Sequence, residues 1–175
     1  MSDTTAVLSP EKTEEDRKIN YLFVCTGNTC RSPMAAALFN HLYGDESAHA
    51  ISAGLAADGS PISKNAAEAL MERGVLPSPS NDYLHHVSKC VDEKILSEAS
   101  LIITMTSSHA MSLIMNYPAF VSKIAVMPKD ITDPFGGDLD VYKKCLSDIE
   151  EALCEIFADK RSPISEESSD GKADE

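Results

Sequence analysis

Short apolar runs alternate with longer amphipathic segments along most of the chain, and this pattern predicts strands that alternate with helices. The apolar runs cover residues 19–25, 49–52, 101–105 and 123–127, and near-continuous apolar character is typical of strands buried on both faces. Apolar positions at three- to four-residue spacing predict helices over residues 33–43, 64–73, 93–97, 107–115 and 139–157.

The alternation of strands and helices predicts the fold class. We expect an α/β fold, in which a single-domain three-layer sandwich holds a four-stranded parallel sheet with helices on both faces. Residues 19–161 would form this domain. Residues 1–18 lack apolar periodicity and predict a disordered N-terminal extension, and residues 162–175 predict an acidic disordered tail.

Composition limits the partners that the protein can have. The net charge of −13 over 175 residues argues against binding to nucleic acid or to an anionic membrane surface. No secretory signal or membrane-length apolar run is visible, and five cysteines, an odd number, favour a reducing cytoplasm over a disulfide scaffold. We find no Cys/His spacing typical of zinc and predict no metal and no cofactor. The oligomeric state stays open.

The most informative segment is CTGNTCR at residues 25–31, between the first predicted strand and the first predicted helix. A tight loop at this kind of turn points backbone N–H groups into one concavity, at the positive end of the helix dipole, and forms an anion site. Such a site favours the thiolate of Cys25, and the guanidinium of Arg31 matches two phosphate oxygens. A nucleophile inside a phosphate-binding loop predicts cleavage of a phosphoryl bond through a phosphocysteine.

The neighbouring residues support this interpretation. Gly27 and Asn28 tolerate left-handed backbone angles, which a loop wrapped around an anion needs. Ser32 suits the N-cap of the following helix, and Pro33 suits its first position. The alternative, in which Cys25 is a buried strand-end thiol beside a surface arginine, leaves this combination of residues unexplained.

A thiolate nucleophile needs an acid for the leaving group and later a base for water, and one carboxyl group can serve as both. Asp133 is the candidate, in the segment DPFGGD that follows the last predicted strand. Pro134 restricts Asp133 to an extended conformation, and the two glycines after Phe135 allow a sharp turn. Asp138 is expected to cap the next helix. By itself this segment could also be an ordinary turn.

Several separated motifs, taken in order, resemble the low-molecular-weight protein tyrosine phosphatase family. They are the loop of residues 25–31 with Ser32-Pro33, Ser52-Ala53-Gly54, Pro61-Ile62-Ser63, His86 in the segment HHVSK, Thr104-Met105-Thr106, and Asp133-Pro134. The resemblance covers residues 19–157. It implies that Cys25 is the nucleophile, Arg31 the phosphate-binding arginine and Asp133 the general acid. It also implies a hydrogen-bond network that holds the loop and favours the thiolate, formed by Asn28, Ser32, Ser52 and His86.

The same resemblance addresses the substrate, which we expect to contact Thr26, Gly27, Asn28, Thr29, Cys30 and Phe135. Thr29 stands where tyrosine-specific members usually carry isoleucine, and it resembles the members that dephosphorylate protein arginine. Residues 55–60 contain no aromatic side chain, and the acid loop DPFGG has the form of the arginine-specific branch. With Asp58 and Asp133 the pocket mouth is acidic, which suits a guanidinium group. Phosphoarginine in phosphorylated proteins is therefore the favoured substrate, and phosphotyrosine is the alternative.

Two other functions and one redox role complete the expectations. An arsenate reductase of this fold would need two further cysteines after the third strand, where this chain has Met105-Thr106-Ser107-Ser108, and a non-catalytic phosphate-binding module would not need Asp133. Cys30 could form a reversible disulfide with Cys25 and shield it from irreversible oxidation. The alternative for Cys30, a small buried hydrophobic residue, is compatible with this role.

Overall fold

The structure, a computed structural model, describes residues 19–158. Four strands form one sheet in the order β2-β1-β3-β4, and each neighbouring pair is parallel. The strands are β1 (Ile19–Cys25), β2 (Ala48–Gly54), β3 (Leu101–Thr104) and β4 (Ile124–Val126). The predicted four-stranded parallel sheet is confirmed. The predicted extension of residues 1–18 and the tail of residues 162–175 lie outside the described residues.

The helices of the described residues match the predicted ones in number and order. They are α1 (Arg31–Leu42), α2 (Lys64–Glu72), α3 (Glu93–Glu98), α4 (Ser107–Asn116) and α5 (Leu139–Ile156), with short 3-10 helices at Tyr83–His85 and Pro118–Lys123. Asp138 caps α5 as expected, because its carboxylate accepts a hydrogen bond from the Val141 N–H. No helix in this part of the chain is both long and apolar enough to cross a membrane.

The central strand β1 divides the core into two layers. Its side chains alternate between the two faces of the sheet, as in any strand. Tyr21 and Phe23 pack on the face that α1, α2 and α5 cover, whereas Leu22 and Val24 pack on the face that α3 and α4 cover. The predicted three-layer arrangement, with helices on both faces, is thereby confirmed.

Strand β2 lies at one edge of the sheet and is longer than predicted. It pairs with β1 along its whole length, from Ile19 opposite Ala48 to Cys25 opposite Gly54. The side-chain amide of Asn40, on α1, covers the outer edge of β2: its Nδ2 donates to the Ala50 carbonyl oxygen at 2.9 Å, and its Oδ1 accepts from the Ala50 N–H at 2.8 Å. One side chain thus satisfies both backbone groups at this point of the edge.

Candidate active site

The loop of residues 25–31 lies at the carboxyl end of β1, where parallel sheets of this kind bind ligands. The end of β2 supports it from one side, because the N–H groups of Leu55 and Ala56 donate to the carbonyl oxygens of Cys25 and Thr26, both at 2.9 Å. Gly54 permits this close approach. A Cβ atom at Gly54 would lie only 2.5 Å from the Thr26 carbonyl oxygen, a distance that real Cβ atoms do not reach.

Cys25 is the last residue of β1, and its side chain is 2% exposed. Its Sγ accepts a hydrogen bond from the Asn28 N–H at 3.3 Å and lies 3.0 Å from the hydroxyl oxygen of Ser32. The Ser32 oxygen also accepts a bond from Asn28 Nδ2, and its one proton can be donated to the sulfur or to the Ala53 carbonyl oxygen, which lies 3.4 Å away. Hydrogen bonds donated to sulfur favour the charged thiolate over the thiol.

Asn28 holds the loop in shape. It is the only described non-glycine residue with a positive φ, 57°, and it is fully buried. Its Nδ2 donates to the hydroxyl oxygens of Ser32 and Ser52, both at 2.9 Å, and its Oδ1 accepts from the Lys89 N–H at 3.0 Å. Left-handed geometry was expected of both Gly27 and Asn28, but only Asn28 adopts it.

His86 completes this network from a different segment of the chain. Its Nε2 lies 2.8 Å from the Asn28 carbonyl oxygen, to which it can only donate. Burial lowers the pKa of His86, and this effect exceeds the opposing one of the hydrogen bond to Asn28. A neutral ring with its proton on Nε2 therefore fits the site. The four residues Asn28, Ser32, Ser52 and His86 come together, as predicted, around the buried side of the loop.

The start of α1 differs from the prediction. The helix begins at Arg31 with Cys30 in the N-cap position, and no side chain caps it. Ser32 is not the N-cap and Pro33 is not the first helical residue, because the Ser32 hydroxyl instead bonds to Asn28 and faces Cys25. N–H groups at an uncapped helix start are suited to receive an oxyanion.

Arg31 and Asp133 form an ion pair at the mouth of the loop. The guanidinium of Arg31 is buried, and it donates to the Ile131 carbonyl oxygen at 3.3 Å and to Asp133 Oδ2 at 2.6 Å. The Asp133 side chain is half exposed, and its other carboxylate oxygen accepts the Phe135 N–H at 3.2 Å. The loop after β4 therefore brings the predicted acid to the predicted phosphate-binding arginine.

A pocket of about 600 Å³ opens above the loop. All the predicted catalytic and substrate-binding residues line it, whereas Ser32, Ser52 and His86 lie behind it. Within the described part of the chain, Phe135 is its one aromatic lining residue, with a side chain 77% exposed. Asp58 also lines the pocket, and hydrogen bonds from Ser60 lower the pKa of its carboxyl group. The rim therefore carries a stable negative charge.

Thr29 and Cys30 form the wall of the pocket nearest α2. The Thr29 carbonyl oxygen accepts the N–H of Ser63, the N-cap residue of α2, at 2.9 Å. The buried Cys30 Sγ lies 3.3 Å from the hydroxyl oxygen of Tyr142 on α5. Burial, together with this contact, raises the pKa of Tyr142 to about 12, so the phenol stays neutral and can donate to the sulfur.

Sequence reasoning missed Tyr142 and His109, both of which touch the loop. Tyr142 was placed only on the apolar stripe of α5, since nothing in the pattern indicates its contact with Cys30. His109 lies in the first turn of α4, and its Nε2 is 2.9 Å from the Thr26 hydroxyl oxygen. The Thr104-Met105-Thr106 motif could have indicated His109, because the helix that follows a central strand begins at the edge of the sheet where the site lies.

Comparisons with known proteins show which proteins this chain resembles. The sequence matches the family described as low molecular weight phosphotyrosine protein phosphatase over residues 20–167. A protein-arginine-phosphatase of Bacillus subtilis is 33% identical over 148 residues, which cover 79% of this chain and 94% of that protein. The low molecular weight protein-tyrosine-phosphatase PtpB of Staphylococcus haemolyticus is 38% identical over 132 residues, 70% of this chain and 86% of that protein.

A solved structure is similar over the same region. It is that of the YwlE arginine phosphatase, in a cysteine-to-serine mutant with a phosphorylated active-site serine. The TM-score is 0.72 at 32% sequence identity, and the alignment covers 81% of this chain and 95% of that chain.

Proposed function

Because the chain belongs to the low molecular weight phosphotyrosine protein phosphatase family and is a cysteine-dependent protein phosphatase, we propose that it removes phosphate from phosphoarginine in proteins. Thr29 carries this proposal. Thr29 lines the pocket at the position where tyrosine-specific members of the family usually carry isoleucine, and its hydroxyl oxygen lies 3.6 Å from Cys30 Sγ. A hydroxyl can hydrogen-bond the polar guanidinium group, whereas an isoleucine would desolvate it.

In the first step, Cys25 Sγ attacks the phosphorus atom while the loop N–H groups and the Arg31 guanidinium hold the phosphoryl oxygens. The S–P bond forms as the P–N bond to the substrate guanidine breaks. Asp133 gives its proton to the departing nitrogen. The products of this step are the dephosphorylated arginine side chain and a phosphocysteine.

In the second step, Asp133 acts as a base and takes a proton from water, whose oxygen attacks the phosphorus. The S–P bond breaks, inorganic phosphate leaves, and Cys25 returns to the thiolate. The Asn28 N–H and the Ser32 hydroxyl, which face the sulfur, stabilise the thiolate as leaving group as well as nucleophile.

The ion pair between Arg31 and Asp133 links substrate binding to this chemistry. A bound phosphoryl group competes with Asp133 for the Arg31 guanidinium. Displacement by the phosphoryl group frees the Asp133 carboxyl group from Arg31, so that it can turn toward the leaving group. Asp133 is half exposed and lies on a loop, so it can move from one partner to the other.

The rim of the pocket also supports a cationic substrate. Asp58 remains ionised there, and opposite charge attracts a guanidinium group. Cys25 must stay a thiol or thiolate to act, so the proposed compartment is the reducing cytoplasm. Cys30 would protect Cys25 there by forming a reversible disulfide during oxidative stress.

Phosphotyrosine is the second candidate substrate, and Phe135 favours it. This exposed ring at the rim offers a stacking surface to a phenyl group, and aromatic pairs contribute about 0.5–1.5 kcal/mol beyond their buried area. One ring at the rim is weaker support than an aromatic wall would be. Arsenate reduction lacks such support, since no cysteine pair follows β3 in residues 105–108.

The test is to measure kcat/KM for phosphoarginine and phosphotyrosine in one peptide sequence. We expect the parent to prefer phosphoarginine. Thr29→Ile should lower phosphoarginine turnover more than it raises phosphotyrosine turnover, because a lost polar contact discriminates more strongly than an added methylene group. Thr29→Val is the matched control for size, since it removes the hydroxyl at nearly constant volume.

Cys25→Ser supplies the blank for turnover of both substrates, because a serine alkoxide is a far poorer leaving group than a thiolate and a phosphoserine at this position would not be hydrolysed onward. Circular dichroism should show that this variant keeps the fold. A parent that prefers phosphotyrosine would replace the proposal with its alternative, and an unchanged ratio in both Thr29 variants would remove Thr29 as the selector.

A further inference from the structure

His109 is a buried histidine that the chemistry above does not use. Its ring bridges two threonine hydroxyl groups: Nε2 lies 2.9 Å from Thr26 Oγ1, and Nδ1 lies 2.8 Å from Thr106 Oγ1. The residue is 5% exposed. In either neutral tautomer one ring nitrogen donates and the other accepts, so both contacts can be made together.

The contact of His109 with Thr26 lies at the start of the phosphate-binding loop. Thr26 directly follows Cys25, lines the pocket and begins the turn that wraps the anion site. Its backbone is fixed by the Ala56 N–H, which donates to its carbonyl oxygen at 2.9 Å. The Thr26 side-chain hydroxyl contacts His109 Nε2. The bond to His109 thus joins the first turn residue to a different structural element.

Helix α4 gives the ring of His109 a defined position. Thr106 caps this helix, and its hydroxyl oxygen accepts the His109 N–H at 3.3 Å while it contacts Nδ1 of the same residue. Helix α4 follows β3, which pairs with β1 at the centre of the sheet. The ring is therefore held by the rigid part of the molecule.

The charges around His109 suit a neutral ring. Burial is the main effect that lowers its pKa, and the nearby Arg31 guanidinium lowers it further, whereas Asp133 and Asp130 act in the opposite direction. A neutral ring can fix Thr26 without adding a second fixed charge beside Arg31.

We infer that His109 is a positioning residue, which holds Thr26 and with it the start of the phosphate-binding loop through its Nε2 atom. This inference rests on the proposed phosphate-binding role of the loop. It does not depend on the choice between phosphoarginine and phosphotyrosine.

Two substitutions separate this role from a structural one. The amide group of an asparagine reaches about as far as Nδ1 of histidine, and that of a glutamine about as far as Nε2. His109→Asn should therefore keep a contact with Thr106 and lose Thr26, whereas His109→Gln can still reach Thr26. We expect His109→Asn to lower kcat/KM on an aryl phosphate and to raise the inhibition constant of inorganic phosphate, each about five-fold, the effect of one net hydrogen bond.

His109→Gln should lose clearly less than His109→Asn on both measures. In a Thr26→Val background the difference between the two variants should vanish, because the shared partner is gone. Equal losses, or a greater loss in His109→Gln, would assign His109 to the cap of α4 and overturn the inference. Persistence of the difference in Thr26→Val would overturn it as well.

Thermal unfolding monitors the fold of each variant. If neither His109 variant folds, the single variant Thr26→Val decides. Unchanged phosphate binding in Thr26→Val would overturn the inference, whereas weaker phosphate binding would support it. Failure of the parent itself to bind phosphate would refute the proposed phosphate site and the inference together, and so differs from failure of the inference alone.

Discussion

Asp133 is the residue whose partner must change during the proposed reaction. In the structure its carboxylate pairs with Arg31, with Asp133 Oδ2 2.6 Å from the guanidinium. Among the described residues, one other carboxylate lines the pocket, that of Asp58, which accepts a hydrogen bond from the Ser60 N–H at 3.0 Å. The two acids therefore differ in the chemistry that they can perform.

We expect Asp133→Asn to slow phosphocysteine formation by about 10²–10⁴-fold on a phosphopeptide, the usual contribution of a general acid. An activated aryl phosphate should lose much less, because its leaving group needs no proton. Rapid-mixing kinetics on both substrates measure the difference. Asp58→Asn is the matched control and should show no such dependence on the leaving group. Equal losses of Asp133→Asn on both substrates would mean that another group is the acid.

Cys30, in the same loop as Cys25, is the candidate to protect the nucleophile. Peroxide should oxidise the Cys25 thiolate to a sulfenic acid, and attack by the Cys30 thiol would then form the S–S bond and release water. Mass spectrometry after mild peroxide treatment and non-reducing digestion should find the peptides of Cys25 and Cys30 linked.

Activity after addition of a thiol reductant measures the protection. Cys30→Ala should recover less activity than the parent, because its sulfenic acid proceeds to irreversible states. Cys90→Ala is the control, since this exposed thiol does not line the pocket and donates to the Ala57 carbonyl oxygen. Full recovery of Cys30→Ala would argue against a protective role.

At the scale of elements, the chain order and type of every strand and α-helix in residues 19–158 followed from hydrophobic periodicity, whereas the 3-10 helices at Tyr83–His85 and Pro118–Lys123 were not predicted. The predicted boundaries of these elements were less accurate where tertiary contacts determine them. Strand β2 extends to Gly54 because β1 offers a partner that far, and α1 starts at Arg31 because Asn28 and Cys25 engage the Ser32 hydroxyl. Capping preferences are averages over many helices, and a competing side-chain network overrides them here.

The candidate site, too, was predictable from the sequence only in part. The loop of residues 25–31 was recognisable because its chemistry is contiguous in sequence. Ser52 and His86 could be assigned only through resemblance to a family, since their partner Asn28 lies 24 and 58 residues away. Contacts such as those of Tyr142 with Cys30 arise from the packing of one helix against another, which periodicity does not specify.

At the scale of the whole molecule, His86 and His109 make stability depend on pH. The pKa of each lies below its ordinary value, mainly because of burial. The unfolded chain therefore binds protons more readily than the folded one as the pH falls below about 6.5, and the free energy of unfolding falls with it. Above that pH both states are neutral at these residues, and this contribution is constant.

Urea denaturation between about pH 7.5 and 5.5 measures this dependence. We expect the midpoint to fall with pH in the parent and to fall less in His86→Gln, which has no titrating ring. His85→Gln is the control, because it replaces the neighbouring histidine, whose side chain is 85% exposed, and leaves the buried His86 ring in place. A slope that is unchanged in His86→Gln would exclude His86 as a source of the pH dependence.

The amide of Asn40 has a consequence for how copies of this protein meet at high concentration. An uncovered edge strand is a template on which a second chain can add its own strand, the first step of β-sheet aggregation. Asn40 occupies both hydrogen-bonding groups of Ala50, so an incoming strand would have to displace it before it could pair there.

Asn40→Ala should expose this template and promote self-association that increases with protein concentration. Light scattering at increasing concentration would detect it. Asn65→Ala is the matched control, because that amide also bonds a backbone carbonyl, that of Gly137, but borders no strand. If Asn40→Ala scatters no more than Asn65→Ala, the edge is protected by other means. If Asn40→Ala does scatter more, a single amide on α1 protects the edge of the sheet and thereby limits aggregation of the folded protein.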